Sequence, residues 1–329
     1  MKYKSFKAIP PFSNGFISSL LRYAVAPIPI KKQTLDIGAV KTCLRVAKEG
    51  GSIALSPEGN RTYSGKTGYI KPSVVKFIKK IGLPLALFRI EGGYGVSPRW
   101  SDDVRRGRMK AYVHSVIEPE EYQKMSNDEL FKLICDALYV DESCKGDEFY
   151  SKKNAEYLER LLYVCPKCKL SEFESKNDTV TCKKCGLTAK YLPNKQFENA
   201  FPFANALEWY DYQCDFVNSI DITQGCDTPL FTDTVDIYKV NLYKNKKLVC
   251  EGAQIQLYYN KITFNGVTAD FDDNVSVTVL GRNKLNIYVN NDVYQFKGQK
   301  GFNAVKYVNF YNHYKNISEG NSDEQFLGL

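Results

Sequence analysis

The sequence predicts an α/β protein over its first 140 or so residues, followed by a small cysteine-rich module and an antiparallel β domain closed by a helix. Three observations predict this. Short apolar runs alternate with helix-period stretches up to about residue 140, two Cys-x2-Cys pairs follow, and from about residue 235 the hydrophobic period falls to two. At 329 residues the chain is too long for one ordinary core. We therefore divide it into an α/β domain (1–145), a helix with a four-cysteine ribbon (146–195), a helical linker (196–234), a β domain (235–316) and a polar tail (317–329).

The elements follow in order. Residues 26–30 (APIPI) form a short apolar strand. Over 35–49 a helix places Ile37, Val40, Leu44 and Ala47 on one face, and Gly50-Gly51 stops it. The strand Ser52–Leu55 runs straight into SPEGNRTYSG, residues 56–65. A helix over 73–81 and a strand Leu85–Ile90 complete a βαβα order, which argues for a largely parallel sheet. A strand at 109–117 precedes a helix announced by the capping box Ser126-x-x-Glu129. A helix around 154–163 leads into the cysteines, and 197–220 reads as helical and aromatic-rich. Beyond 235 the runs VDIYKVNLY, IQLYY, VSVTVL, LNIYV and VYQF are separated by Asn, Gly and Asp turns, the pattern of an antiparallel sandwich or barrel. A helix over 302–315 closes the chain.

The formal charge of +8 hides an asymmetry. Residues 1–110 carry 21 Lys and Arg against 6 Asp and Glu, and the rest carries 24 against 31. A basic first third suits an anionic partner such as phosphorylated substrate, membrane headgroups or nucleic acid. No stretch reaches the ~18 uncharged apolar residues of a membrane span. No charged-then-apolar leader with a small-residue cleavage site is found either. The expectation is a cytoplasmic protein, peripheral on the inner membrane face, whose ten cysteines are read for metal rather than disulfides. Cys165-x2-Cys168 and Cys182-x2-Cys185, thirteen residues apart, can each turn two thiolates inward on a knuckle. Four sulfurs with no open position make a closed structural site for zinc, with iron as the competitor. Cys43, Cys135, Cys144, Cys214, Cys226 and Cys250 show no such spacing. The ribbon lies outside the basic third and lacks a dense basic and aromatic face, so nucleic-acid binding ranks last.

The loop at 56–65 has the composition of an anion site. Pro57 fixes φ, Gly59 and Gly65 permit close approach to a ligand, and Arg61 offers a planar fork matched to phosphate. Lys66 and Lys71 add point charges, and Glu58 can bond a substrate hydroxyl or hold Arg61. No G-x-x-x-x-G-K-[ST] is present, so it is not a Walker loop.

Residues 55–62, LSPEGNRT, resemble the F-P-E-G-T-R-S block of the glycerolipid acyltransferases of the 1-acyl-sn-glycerol-3-phosphate acyltransferase type. Residues 26–32 (APIPIKK) fall where that family has G-x-I-x-I-D-R, VKTCLRVAKEGGSIAL resembles its approach to the loop, and 82–90 (GLPLALFRI) resembles V-P-V-x-P-V. The likeness covers roughly residues 1–140. It implies a glycerolipid-acyltransferase-like α/β layer and acyl transfer from acyl-CoA or acyl carrier protein to a lysophospholipid or glycerol-phosphate hydroxyl. By position, Glu58, Gly59 and Arg61 would hold the acceptor, with Arg61 on its phosphate and Lys66 nearby. Lys32 stands where the family prefers Arg, which keeps the charge and loses the fork.

The same resemblance implies a His-x4-Asp pair as the base, and that pair is absent from this sequence. His114 is followed by Glu118 and Pro119 at the relevant spacing and lies after the loop, whereas the family's pair precedes it; His313 is a still poorer match. KSFKAIPPF resembles the region just after the missing block, so the chain is expected to begin inside the catalytic domain. Either the pair is encoded upstream of Met1, or the domain is degenerate and binds anionic lipid or a partner without chemistry. Phe12–Tyr23 reads as the buried face of such a trimmed domain in preference to a membrane-surface segment. Residues 235–316 weakly resemble a pleckstrin-homology-like module, in which Phe302, Val305, Val308 and Tyr311 would plug the open end of the sheet.

Overall fold

The computed structural model describes residues 3–8, 28–30, 37–143, 146–222, 227–241, 245–272, 274–290 and 292–319, and is a mixture of helix and sheet. β1 (Tyr3–Ala8) lies between β2 (Ile28–Ile30) and β3 (Ser52–Ala54) and runs parallel to both, with Phe6 opposite Ile28 and Tyr3 opposite Ser52. α1 (Ile37–Lys48) crosses from β2 to β3 and packs on both. Its buried residues are Ala39, Cys43 and Val46, at i, i+4 and i+7. The expected face is therefore rotated: Ile37 opens the helix exposed, and the small Ala39 and Cys43 let it sit close to Ile28.

α2 (Ser73–Ile81) ends at Gly82, whose φ of 66° lets its amide return to the Ile78 carbonyl. β4 (Leu85–Glu91) is followed by the one-turn α3 (Gly93–Val96), β5 (Lys110–Ile117), the one-turn α4 (Pro119–Tyr122) and α5 (Asn127–Leu138). The capping box forms: Glu129 N donates to Ser126 Oγ at 3.2 Å, and Ser126 N donates to Glu129 Oε2 at 2.7 Å. At the other end of α5, Arg89 of β4 donates to the carbonyls of Asp136 and Ala137. Val75, Leu87, Ile117, Tyr122, Leu130 and Ile134 form the core between these elements.

The largely parallel sheet expected from the βαβα order is corrected to two separate sheets among the described residues, the parallel β2-β1-β3 and an antiparallel β4-β5 pair. β3 is only three residues long before the loop takes over, so it offers few ladder groups. After β4 the chain turns back through Gly92 (φ 78°), where an added Cβ would come within 2.2 Å of the Arg108 carbonyl oxygen. The outer face of the pair leaves Phe88, Ile90, Val113 and Val116 exposed.

The helix expected around 154–163 is also corrected. Tyr157 has a φ of 72°, its amide is taken by Ser175 Oγ at 2.6 Å, and only a 3-10 turn forms, at Leu158–Arg160. Leu158, Leu161 and Leu162 are buried at helical spacing without a helix beneath them. The ribbon consists of β6 (Val164–Cys165) paired with β7 (Lys169–Leu170), and of β8 (Phe173–Lys176), β9 (Thr179–Cys182) and β10 (Thr188–Lys190) as an antiparallel sheet. Of the helical stretch expected at 197–220, a 3-10 turn at Glu198–Ala200 and α6 (Ala206–Asn218) form. Asn205 caps α6 by accepting from Glu208 N at 3.0 Å.

The β domain is one antiparallel sheet of β11 (Phe231–Lys239), β12 (Lys247–Leu257), β13 (Lys261–Phe264), β14 (Val267–Asp270), β15 (Ser276–Leu280), β16 (Lys284–Val289) and β17 (Asp292–Gly298). Its order is β14-β13-β12-β11-β17-β16-β15, so the last three strands return to the far side of the first. α7 (Val305–Glu319) closes it, with Phe302, Val305, Val308 and Tyr311 buried as expected. The core crosses the boundaries drawn at 145, 195 and 235. Trp100, Leu161, Val180, Trp209, Ile237, Leu285 and Val308 belong to one apolar cluster spanning the end of the first third, the ribbon, α6 and the β domain.

Candidate functional site

The loop after β3 is shaped by its own small groups. Gly59 (φ 72°) donates to the Ser56 carbonyl at 3.0 Å, and Thr62 Oγ1 accepts from the amides of Ser64 and Gly65. An added Cβ at Gly59 would meet nothing within 4 Å, so that backbone is open to a ligand. Gly65 serves another purpose: at φ 99° its missing Cβ makes room for the Tyr94 ring, which would lie 2.9 Å away.

Glu58 is turned inward. Its Oε2 accepts from the Gly68 amide at 2.7 Å, so it ties the two ends of the loop together and does not hold Arg61. Burial pushes its carboxyl above the usual range, and the Gly68 amide partly offsets that. Lys66 is exposed, with its backbone bridged to Asp141 and its charge falling on Asp211. Lys32 lies outside the described residues.

Arg61 is presented rather than consumed. Among the described residues its side chain makes one long hydrogen bond, Nη1 to the Ser97 carbonyl at 3.4 Å, and the residue is exposed. Its backbone is fixed from behind by Arg99, a buried residue not anticipated from the sequence. Arg99 Nη1 donates to Arg61 O at 2.8 Å, Nε donates to Gly281 O at 2.8 Å, and the guanidinium stacks 4.2 Å above the Tyr63 ring. Buried Tyr63 donates to Arg282 O at 2.6 Å. These bonds dock the loop on the β15–β16 turn. Nearby, Arg160 grips Asp102 with both arms at 2.8 and 2.9 Å, and Arg282 reaches the same carboxylate at 3.2 Å. That arrangement holds the Asp102 carboxyl below its usual range, chiefly through Arg160.

Neither histidine approaches the loop's chemistry. His114 is exposed on β5, with Nδ1 3.3 Å from Ser115 Oγ, and His313 is buried in α7 with Nε2 3.1 Å from the Ile220 carbonyl.

The second cluster is Cys165, Cys168, Cys182 and Cys185, whose sulfurs all lie within 4.8 Å of one another. Cys165 Sγ is 3.6 Å from Cys185 Sγ, and Cys168 Sγ is 3.5 Å from Cys182 Sγ. A tetrahedral ion with Zn–S bonds of ~2.3 Å has sulfur–sulfur edges of roughly 3.8 Å, so the set fits such an ion with small adjustment. Burial pushes the Cys182 thiol up, but the Ser171 hydroxyl and the amides of Cys185 and Lys184 outweigh it and bring it to about 6. Burial and, at Cys168, the neighbouring thiols push Cys165 and Cys168 the other way, so the fit to an ion rests on the four-sulfur geometry.

Comparison with known proteins points to one class. The chain is 23% identical over 136 residues to a chloroplastic 1-acyl-sn-glycerol-3-phosphate acyltransferase of Arabidopsis thaliana, covering 40% of this chain and 38% of that one. It is 25% identical over 104 residues to a chloroplastic enzyme of the same name from Brassica napus, covering 31% and 30%. The chain thus spans about a third of the length of these curated relatives. No family model matches it, and no solved structure matches it. No described helix is long and apolar enough to cross a membrane.

Proposed function

We propose that this chain carries the acceptor-binding part of a glycerolipid acyltransferase, and that Arg61 takes the phosphate of a lysophosphatidate or glycerol-phosphate acceptor. The observation that carries the reading is the state of Arg61, an exposed residue whose guanidinium makes, among the described residues, one long hydrogen bond of 3.4 Å, on a backbone anchored by buried Arg99. The likeness to the two acyltransferases supports it independently. In the transfer, the acceptor hydroxyl oxygen bonds to the acyl carbon of an acyl-CoA or acyl-carrier-protein thioester. The carbon–sulfur bond breaks, and the hydroxyl proton passes through a base to the departing thiolate. Arg61, with the open backbone at Gly59, would hold the phosphate end and so orient that hydroxyl. Glu58 keeps the loop closed. The α/β layer, met by the acceptor at a membrane surface without insertion, and the division into five segments belong to the same reading.

The base is not among the residues of this sequence in the His-x4-Asp form, and both histidines lie elsewhere. A second reading, in which the chain binds anionic lipid or a partner without turning it over, rests on the same displayed Arg61. The strand order of the β domain and its closing helix support a pleckstrin-homology-like module under either reading. Zinc in the four-cysteine cluster would hold the ribbon shut and supply no reactive position. The test is an assay for thiol release from acyl-CoA with lysophosphatidate, run beside a binding titration of the same lipid. Release above the rate without acceptor supports transfer; saturable binding without release supports the binder; absence of both sinks the phosphate-site reading.

A further inference from the structure

We propose that Arg282, at the tip of the β15–β16 turn, is a second arginine of the anion site that Arg61 begins, so that one phosphate is held between the loop and the β domain. The inference rests on the reading of Arg61 given above. It adds a residue far outside the stretch that resembles the acyltransferases.

Three bonds bring the two arginines to one place. Tyr63, two residues after Arg61, donates to the Arg282 carbonyl at 2.6 Å, while Arg99 spans from Arg61 O to Gly281 O at 2.8 Å each. The turn itself is fixed. Leu280 pairs with Lys284 across it, Gly281 takes a φ of 63°, and Asn283 Nδ2 donates to Lys300 O at 3.0 Å. A rigid turn holds the root of Arg282 in place as firmly as Arg99 holds that of Arg61.

Charge supplies the reason for a ligand. Arg61, Arg99, Arg160 and Arg282 meet here, and among the described residues Asp102 is the carboxylate that forms ion pairs within the group. Arg160 takes both oxygens of Asp102, leaving Arg282 one contact at 3.2 Å with its side chain a third exposed. Glu159 faces Arg160 from another side, with its own carboxylate bonded to Ser175. Among the described residues Arg61 makes no hydrogen bond or ion pair to a carboxylate. Partial desolvation of the guanidinium pushes Arg61 down, the charge of Arg282 adds to this, and Tyr63 opposes it, so the two arginines feel each other's charge. Two planar forks with spare donors suit the tetrahedral oxygens of a phosphate monoester. The same chemistry is offered by a glycerol-phosphate headgroup and by the 3′-phosphate of coenzyme A.

The test is calorimetric titration of the whole chain with inorganic phosphate, glycerol 3-phosphate, coenzyme A and dephospho-coenzyme A. The wild type binds a phosphate monoester saturably, Arg61→Gln abolishes that binding, and Arg282→Gln weakens it roughly tenfold, as the loss of one charge-assisted bond requires. Arg282→Lys, which keeps the charge and loses the fork, falls between. Both variants keep the backbone bond from Tyr63, and the 3.2 Å contact to Asp102 that they alter is half-exposed and secondary to Arg160, so both are expected to melt close to the wild type. Preference for glycerol 3-phosphate assigns the site to the acceptor, whereas loss of binding on going from coenzyme A to dephospho-coenzyme A assigns it to the donor. Either result supports the shared site. Wild-type affinity in both Arg282 variants, with Arg61→Gln inactive, overturns the role of Arg282 and leaves that of Arg61 standing. A wild type that binds none of the four ligands overturns both.

Discussion

The behaviour of the loop comes down to two arginines with opposite roles, one buried and one displayed. Arg99 donates to Arg61 O, Gly281 O, Val279 O and Asn60 Oδ1, so Arg99→Ala strands several carbonyls at once. We expect a loss of about 2–4 kcal/mol in urea unfolding; an unchanged midpoint would contradict the anchoring role. Glu58 gives a pH signature. Because burial raises its carboxyl in the folded state, the folded protein binds this proton more tightly than the unfolded chain. The stability it contributes is present below the usual value of 4.5 and is lost as pH rises through the raised folded value. Glu58→Gln keeps an oxygen for Gly68 without the charge. It should therefore be more stable than the wild type at neutral pH, with the gap closing towards pH 4.5, and a gap independent of pH would contradict this. A tight turn after β3 was legible from Pro57 and Gly59, and Arg61 stands exposed on it. Arg99 was not, because its role depends on carbonyls some 180 residues away in a turn that only the fold brings near. Of the two uses read for Glu58, a substrate hydroxyl or Arg61, the second does not form, because its Oε2 takes the Gly68 amide at 2.7 Å.

Elements defined by fixed local geometry were the easiest to foresee. The two Cys-x2-Cys pairs needed only their spacing, and α5 needed only Ser126 and Glu129. β13 and β14 went unseen because four residues each carry too little alternation. Their turn, Asn265-Gly266 with φ of 45° and 74°, was the stronger signal. The supposed helix at 154–163 shows how leucines at helical spacing can be buried by ribbon, turn and sheet instead. Two outcomes belong at this scale. Gly65→Ala would force a Cβ into the Tyr94 ring at φ 99° and should destabilise by ~1–3 kcal/mol in denaturant titration, whereas a neutral substitution would show that the loop can give way. Stripping metal from the purified protein with a strong chelator should release about one zinc per chain and lower the melting temperature. Cys168→Ser should reproduce the loss, and a metal-free wild type of full stability would refute a structural ion.

At the scale of the molecule, one apolar cluster runs from Tyr63 and Trp100 through the ribbon and α6 to the β domain, so the modules read from the sequence share a core. Module identity is written in local patterns; the merging of cores is not, because it depends on which faces meet. The two tryptophans of the chain test this, since Trp100 lies beside the loop and Trp209 in α6 against the ribbon. Single-tryptophan variants, Trp100→Phe and Trp209→Phe, should unfold with coincident fluorescence transitions, and well-separated midpoints would show independent units. The loop after β3 therefore stands on a platform shared by the ribbon, α6 and the β domain. The measurement that tests this account most directly is a titration of the whole chain with lysophosphatidate and with the monoacylglycerol that lacks its phosphate. The account predicts saturable binding of the first, little of the second, and loss of binding in Arg61→Gln. Equal affinity for both lipids, or an Arg61→Gln variant that binds like the wild type, would contradict it.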